Sequence, residues 1–197
     1  MLRRSIASVN IARMLIRDVR RENGLDQLPA RPGRPPRPAH EIRRELRPGD
    51  PEAIVAMHAH IYPAEHDRNE LFVETVAKSV EDALARGWPE RGGVWIVERR
   101  GEFAGSVALT AEDDGVGMLR WVLLAPELRG AGLGRRLVGE AVGRARELGM
   151  RRLELYTFSA LATAGRIYRE AGFRVVAERE RSDWGPTITY QEYALEL

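Results

Sequence analysis

A glycine-rich segment, Arg129-Gly-Ala-Gly-Leu-Gly134, joins a hydrophobic stretch to an amphipathic one. Glycines allow backbone N–H groups to approach a ligand closely, and the first turn of a following helix adds unpaired N–H groups and a partial positive charge. Such an element suits the oxygens of a phosphate group. The segment therefore predicts a loop that binds phosphate through its backbone.

Other interpretations of this loop are open. A dinucleotide-binding loop has the spacing G-x-G-x-x-G and an acidic residue that closes the next strand. Here the spacing is G-x-G-x-G, Arg135 stands at the last glycine position, and Glu154 lies in mid-strand. A P-loop needs Gly-Lys-Ser/Thr, which is absent here. The remaining alternative is a glycine-rich turn that binds nothing.

A second motif, Ala164-Gly-Arg-Ile-Tyr-Arg-Glu-Ala-Gly-Phe173, follows further along the chain. The two motifs together resemble the GNAT superfamily of N-acetyltransferases. The acetyl-CoA loop of that superfamily reads Arg/Gln-x-x-Gly-x-Gly/Ala, and its later signature reads Ala-x-x-x-Tyr-x-x-x-Gly-Phe. The order and spacing of the motifs agree over residues 42–197.

Four stretches resemble the acetyltransferase half of bacterial MarR-type regulator/GNAT fusion proteins. They are Leu119-Arg-Trp-Val-Leu-Leu-Ala-Pro126, Leu155-Tyr-Thr-Phe158, Ile167-Tyr168 and the end of the sequence, with Asp183-Trp-Gly185, Gln191 and Leu195-Glu-Leu197. The residues that precede the resemblance are too few for a winged helix. We therefore do not expect the DNA binding of those fusions to carry over.

The resemblance implies where acetyl-CoA binds, as the acyl-donor co-substrate. Backbone N–H groups of the glycine loop would hold the pyrophosphate, and the preceding strand would pair with the pantetheine arm. An N–H group in that strand would polarise the thioester carbonyl. The cofactor-binding residues that it implies are Val122, Leu123, Leu124, Arg129, Gly130, Ala131, Gly132, Leu133, Gly134 and Arg135.

The resemblance also implies one catalytic residue, Tyr168, as the general acid that protonates the departing thiolate. Its alternative role is that of a core aromatic. The amine acceptor must first lose a proton, because an alkyl ammonium has a pKa of about 10. Residues 117–125 contain no Asp or Glu. The remaining candidates for the base are Glu65, His66 and Asp67, which we expect in the loop between the first two helices.

Four aromatic residues are candidates for an acceptor pocket or, equally, for the core. They are Tyr62, Trp121, Tyr156 and Trp184. Residues 48–197 carry 19 basic and 24 acidic residues, and this negative balance mildly favours a cationic amine through electrostatic steering. We expect a small-molecule or peptide amine as acceptor. The four histidines lack the spacing of a metal site, so no metal is expected.

Periodicity and turn residues predict the elements that must position these residues. Strands are predicted at 42–46, 94–99, 103–111, 117–124, 152–157, 173–179 and 187–196. Helices are predicted from 51 to about 60 with Asp50 as N-cap, and at 69–86, 133–148 and 161–171. The fold class is α/β (α+β): a single GNAT-like domain whose mixed, mostly antiparallel central sheet is flanked by helices.

The composition of residues 1–40 predicts a basic, Pro-rich, mobile extension, and the domain is predicted to span residues 41–197. Residues 1–47 carry twelve arginines and five acidic residues, and residues 29–39 contain five prolines. The chain has 197 residues and no cysteine, which excludes disulfides and thiolate nucleophiles, and it has no apolar run long enough for a membrane span. We expect a cytoplasmic location and consider a homodimer.

The expected function is acetyl-CoA-dependent transfer of an acetyl group to a primary amine in a ternary complex. Two alternatives come from other classes. A catalytically silent acyl-CoA-binding module would keep Arg129 and the glycines without turnover. A nucleic-acid-associated regulator would depend on the basic extension, and this binding would weaken strongly with salt.

Overall fold

The structure is a computed structural model that describes residues 40–197. The strands are β1 (Glu41–Arg43), β2 (Gly93–Arg99), β3 (Glu102–Ala111), β4 (Val116–Leu124), β5 (Arg152–Phe158), β6 (Arg174–Arg181) and β7 (Ile188–Glu196). The helices are α1 (Asp50–His66), α2 (Glu70–Ala85), α3 (Leu133–Glu147) and α4 (Ala162–Glu170). The predicted basic extension lies outside the described residues.

The seven strands form one sheet in the order β1-β2-β3-β4-β5-β7-β6. Every neighbouring pair is antiparallel except β4 and β5, which are parallel. Helices α1 and α2 pack on one face and α3 and α4 on the other, so that alternate residues of a strand enter different cores: Ile96 faces α1 and α2, and Val97 faces α3 and α4. The predicted element order and the mixed sheet are confirmed.

The parallel pair separates before its strands end. Register is kept only from Val116 to Leu119 in β4, opposite Arg152 to Leu155 in β5. Beyond this point β4 continues to Leu124 beside β3, and β5 continues to Phe158 beside β7. The two strand ends therefore leave a cleft in the middle of the sheet.

A β-bulge in β4 lies at the start of this cleft. Between the pairs Ala108↔Arg120 and Ser106↔Leu123, β3 contributes one residue and β4 contributes two. Trp121, one of the two, has a φ of 48°, in the left-handed region, and its carbonyl accepts a hydrogen bond of 2.7 Å from the Ser106 hydroxyl. The bulge bends β4 and shifts the direction of its later backbone groups.

Helix α1 differs from the prediction at both ends. Gly49 is the N-cap instead of Asp50, whose carboxylate accepts hydrogen bonds from the Arg43 guanidinium at 2.8 and 3.0 Å and from the Arg47 backbone N–H at 2.6 Å. The helix also continues through Pro63 to His66. Strand β1 is shorter than predicted, since it ends at Arg43.

Candidate active site

The glycine loop has the open backbone that its sequence predicts. Gly130 and Gly132 have φ values of 83° and 79°, in the left-handed region, and a Cβ built on either would meet no atom within 4 Å. Gly132 caps α3 without any side-chain hydrogen bond. The N–H groups of the first turn of α3 therefore have neither a helical partner nor a capping side chain.

Three separate segments meet at this helix terminus. A Cβ on Gly134 would lie 3.4 Å from Cδ1 of Ile167 in α4 and 3.8 Å from Cδ1 of Leu124 at the end of β4. The glycine loop, the end of β4 and the second sequence motif are thus in contact. This convergence places the N-terminus of α3 directly beside the cleft between β4 and β5.

Backbone groups at the end of β4 alternate between β3 and the cleft. The Ala125 N–H donates to the Ala104 carbonyl at 2.9 Å, and the Leu123 carbonyl faces Gly105 of β3. Since alternate residues of a strand direct their backbone groups to opposite sides, Val122 and Leu124 direct theirs away from β3, toward the cleft. The Leu124 carbonyl accordingly accepts a hydrogen bond from Nε of Arg129 at 2.9 Å.

The two arginines of the loop are held by carboxylates. Nη1 of Arg129 lies 2.8 Å from the Glu65 carboxylate of α1, and Nη2 of Arg135 lies 2.7 Å from the Glu170 carboxylate of α4. Arg129 thereby links the end of α1 to the end of β4. The side chains of both arginines therefore join neighbouring elements of the fold.

A cavity of about 190 Å³ occupies the cleft and extends under α1 and α2. All four aromatic residues predicted for an acceptor pocket line it, together with residues of α1, α2, β4, β5 and α4. Its aromatic lining consists of His58, Tyr62, Phe72, Trp121, Tyr156, Phe158, Tyr168, Trp184 and Tyr190.

Tyr168 lines the deep end of this cavity from α4. Its ring packs against the rings of Phe173 and Tyr193 at centroid distances of 6.2 and 5.8 Å. Burial raises the pKa of the Tyr168 hydroxyl, with smaller contributions from Tyr62 and Tyr193. The phenol therefore keeps its proton throughout the neutral range and is available as a proton donor.

The three residues predicted as candidate bases do not line the cavity. Glu65 and His66 lie on the last turn of α1, because the helix is longer than predicted, and Asp67 is its C-cap. The hydrogen bond from Arg129 holds the pKa of the Glu65 carboxyl below its usual range, which makes it a weak base. Through its ion pair with Arg129, Glu65 instead joins the end of α1 to the end of β4.

His58 is one of the lining residues that the sequence did not predict. It is 4% exposed, and its Nδ1 lies 2.8 Å from the Ile54 carbonyl one helical turn earlier. Burial lowers the pKa of His58 to about 4, so the imidazole is neutral at pH 7. The neutral ring donates Nδ1–H to that carbonyl, and its Nε2 is left as a hydrogen-bond acceptor. The signal in the sequence was the four-residue spacing from Ile54 through His58 to Tyr62.

Hydrogen bonds join two turns that are far apart in the sequence but adjacent at the cavity. The Asn69 N–H donates to the Trp184 carbonyl at 3.1 Å, and the Asn69 amide donates to the Asp183 carbonyl at 2.8 Å. Buried Arg68 donates to the Pro186 carbonyl at 3.1 Å. The turn between α1 and α2 is thus joined to the turn between β6 and β7, and the two close one end of the cavity together.

This fold and this site place the chain in a known family. Residues 54–173 match the model of the Acetyltransferase (GNAT) family, and the chain belongs to that family. Two curated relatives are similar. The uncharacterized N-acetyltransferase YjgM of Escherichia coli is 33% identical over 50% of this chain and 62% of its own length. The mycothiol acetyltransferase of Thermobispora bispora is 30% identical over 73% of this chain and 51% of its own length. The chain therefore spans about half to three fifths of the length of these relatives.

Solved structures show the same fold at low sequence identity. A GNAT-family acetyltransferase from Staphylococcus aureus has a TM-score of 0.62 at 18% identity, over 81% of this chain and 99% of its own. The structure of YncA from Salmonella typhimurium with its cofactor acetyl-CoA has a TM-score of 0.61 at 22% identity, over 80% of this chain and 94% of its own. Both likenesses concern the fold.

Two other expectations concern metals and membranes. Within residues 40–197, no group of three or more His, Asp or Glu side chains is arranged to hold a metal ion. None of the helices in this part of the chain has the length and apolar character that crossing a bilayer requires.

Proposed function

We propose that this chain is an acetyl-CoA-dependent N-acetyltransferase that transfers the acetyl group directly to a primary amine within a ternary complex. One observation carries the proposal: the unpaired N–H groups at the start of α3 lie beside the cleft into which Leu124 directs its backbone. Family membership supports it, and YncA, which shares the fold, was solved with acetyl-CoA.

The residues present fit acetyl-CoA. The glycine loop has an empty cradle, since a Cβ at Gly130 or Gly132 would meet nothing there, and a helix N-terminus attracts phosphate. The backbone groups of Val122 and Leu124 would bind the amide groups of the pantetheine arm as a neighbouring strand does. Acetyl-CoA supplies an activated thioester.

The chain itself would orient the reactants and handle protons. A backbone N–H at the β4 bulge would stabilise the negative charge that develops on the carbonyl oxygen. The amine nitrogen forms a bond to the carbonyl carbon as the C–S bond breaks. Tyr168 would donate its proton to the departing sulfur, because its hydroxyl remains protonated at the deep end of the cavity.

Calorimetric titration with acetyl-CoA, with NAD as the control ligand, tests the binding step. We expect acetyl-CoA to bind and NAD not to bind. Gly132→Val should weaken acetyl-CoA binding at least tenfold, because a β-branched residue is strained at a φ of 79°. Gly139→Ala, on the same helix and in open space, is the matched control and should bind normally. Equal affinity of the two variants would place the pyrophosphate elsewhere.

Turnover and mechanism need a second assay. Amine-dependent release of CoA thiol, with intersecting initial-rate plots, is expected for direct transfer in a ternary complex. Parallel plots, or an increase of one acetyl group in the mass of the protein, would contradict direct transfer. Acetyl-CoA binding without turnover of any amine would instead favour the silent acyl-CoA-binding module, which the absence of a carboxylate from the described cavity lining also favours.

Several finer predictions stay predictions. They are the likeness to the acetyltransferase half of MarR-type fusions, the homodimer, the cytoplasmic location and the alternative role of the basic extension in binding nucleic acid. Deleting residues 1–39 tests the last of these. A salt-dependent affinity for DNA that disappears in the truncated protein would support it, and no affinity of the intact chain at low salt would refute it.

A further inference from the structure

The cavity has an aromatic wall that suits a planar ring. Tyr62 and Phe72 lie 4.7 Å apart between ring centroids, and Phe72 meets Trp184 edge to face at 5.4 Å. An apolar cavity of roughly 150 Å³ accepts a benzene molecule. The 190 Å³ present here therefore has room for one aromatic ring beside the acetyl end of the donor, which reaches the same cavity at Val122 and Tyr168.

No free negative charge faces this cavity. Among residues 40–197, no Asp or Glu lines it. Its one charged lining residue is Arg120, whose guanidinium pairs with Glu112 at 3.1 Å. Three further carboxylates act on the lining tyrosines from outside, and each is paired with an arginine: Glu65 with Arg129, Glu154 with Arg152 and Glu192 with Arg179.

Cations already lie against two rings of the lining. The Arg181 guanidinium carbon lies 3.6 Å from the ring centroid of Trp184, and that of Arg68 lies 5.8 Å from the ring centroid of Phe158. Each of these two rings therefore already has one face engaged with a cation. An ammonium inside the cavity would be desolvated without a counter-charge, which disfavours its binding there.

Apart from Arg120, the polar side chains that line the cavity are neutral. Ser79 is already engaged, because it donates to the Val76 carbonyl and accepts from Nε1 of Trp121 at 3.0 Å. Thr75 donates to the Leu71 carbonyl at 2.8 Å. His58 has its Nδ1 fixed by Ile54, so its Nε2 can accept a hydrogen bond from an N–H group.

We infer that the acceptor is an aromatic amine that enters the cavity uncharged, with its ring against the aromatic wall and its N–H toward Nε2 of His58. The inference rests on the acetyltransferase function proposed above and names its acceptor class. An aromatic amine delocalises its lone pair into the ring and is neutral at pH 7, so it needs no carboxylate to remove a proton before attack. An alkyl ammonium does.

The transfer balances with groups already present. The amine nitrogen bonds to the carbonyl carbon of acetyl-CoA, and the C–S bond breaks. Formation of the C–N bond makes the nitrogen cationic and strongly acidic, so it can pass one proton to Nε2 of His58 even though burial lowers the pKa of that imidazole to about 4. The sulfur gains one proton from Tyr168. Exchange of these protons with solvent restores both side chains, so the products are an N-acetylated aromatic amine and CoA thiol.

Binding of a matched pair of amines to the protein saturated with CoA tests the acceptor class. Aniline and benzylamine carry the same ring, but benzylamine is mostly protonated at pH 7.5. We expect aniline to bind at least tenfold more tightly and to give acetanilide when acetyl-CoA replaces CoA. Benzylamine binding as tightly as aniline or more tightly would overturn the inference, and so would a failure of aniline to bind.

A pair of variants tests the charge argument. Thr75 lines the cavity from the exposed side of α2, and its own hydrogen bond stays within the helix, so substitution there leaves the fold in place. Thr75→Glu adds a carboxylate and should shift the affinity ratio toward benzylamine at least tenfold. Thr75→Gln, the control, should leave the ratio within about twofold of the original. An equal effect of the two variants would refute the role of charge.

Failure of the inference and failure of the proposed function have different signatures. Turnover of benzylamine or a polyamine without turnover of aniline would keep the acetyltransferase and reject the acceptor class. Absence of CoA and acetyl-CoA binding would reject the acetyltransferase. The aniline and benzylamine titrations of the protein alone would still decide the chemistry of the cavity.

Discussion

Replacing Tyr168 by phenylalanine separates a proton donor from a packing residue. The ring contacts with Phe173 and Tyr193 remain in the variant, and the change removes one hydroxyl from a buried position. No hydrogen bond joins this hydroxyl to another side chain within residues 40–197, so no partner is left unsatisfied. We therefore expect the free energy of unfolding to change by no more than about 0.5 kcal/mol.

The effect on catalysis should be much larger. General acid catalysis contributes roughly 10² to 10⁴ in rate, and a thiolate, with a thiol pKa of about 8.5, is a good leaving group, so we expect a fall of about a hundredfold. Because burial raises the pKa of Tyr168, the native enzyme should not lose this donor as the pH rises toward 10.

The assay is CoA-thiol release at saturating acetyl-CoA, with acetyl-CoA affinity measured separately by calorimetry. A fall in kcat with unchanged acetyl-CoA affinity and unchanged urea midpoint supports the role of a general acid. Unchanged kcat in a folded variant would show that Tyr168 is a core aromatic. A parallel loss of affinity and kcat would assign it to positioning of the acyl donor instead.

Three further predictions concern stability and are read by urea unfolding. The pKa of His58 is about 4 in the folded chain and about 6.5 in the unfolded chain. Between these pH values the unfolded state binds more protons, so the free energy of unfolding falls by about 3 kcal/mol as the pH drops through this range. The variant His58→Phe should lessen this pH dependence. Gly143→Ala should stabilise α3 by about 0.5–1 kcal/mol, since open space surrounds its Cβ, and a loss of stability would contradict this. Gly185→Ala should destabilise the folded chain by about 1–3 kcal/mol, because the φ of Gly185 is 118° and a Cβ there would lie 2.5 Å from the Asp67 carbonyl oxygen. An unchanged urea midpoint would refute the close approach of the turn after α1 to the turn between β6 and β7.

The elements could be predicted from the sequence where a local signal ends them. Gly149, with a φ of 70°, follows α3, and the turn at Arg100 and Gly101 has two left-handed residues between β2 and β3. The predicted end of α1 near residue 60 was wrong, because the helix continues through Pro63 to His66. The buried positions Ile54, His58 and Ile61 show that packing against the sheet sustains the helix instead.

The side-chain partners in the site depend on contacts that no local pattern contains. Arg129 meets Glu65 across 64 positions of sequence, and this pairing removes the carboxylate from the candidate bases. His58 was not predicted because its neutrality results from burial under distant segments. The glycine loop, in contrast, carries its conformation in its own residues, because Gly130 and Gly132 adopt φ values of 83° and 79° that favour glycine.

The bulge at Trp121 absorbs one extra residue of β4 without changing which residues pair beyond it. With one residue fewer between Arg120 and Leu123, Arg120 would still pair with Ala108 and Leu123 with Ser106, so Leu124 would keep Gly105 as its partner and keep its side of the strand. The bend that the extra residue gives to β4 would be lost, and with it the present position of the Leu124 carbonyl that binds Arg129. The length of this strand is therefore as constrained as its composition: side chains there can be exchanged during divergence, whereas a single-residue deletion at the bulge would straighten the edge that the cleft presents.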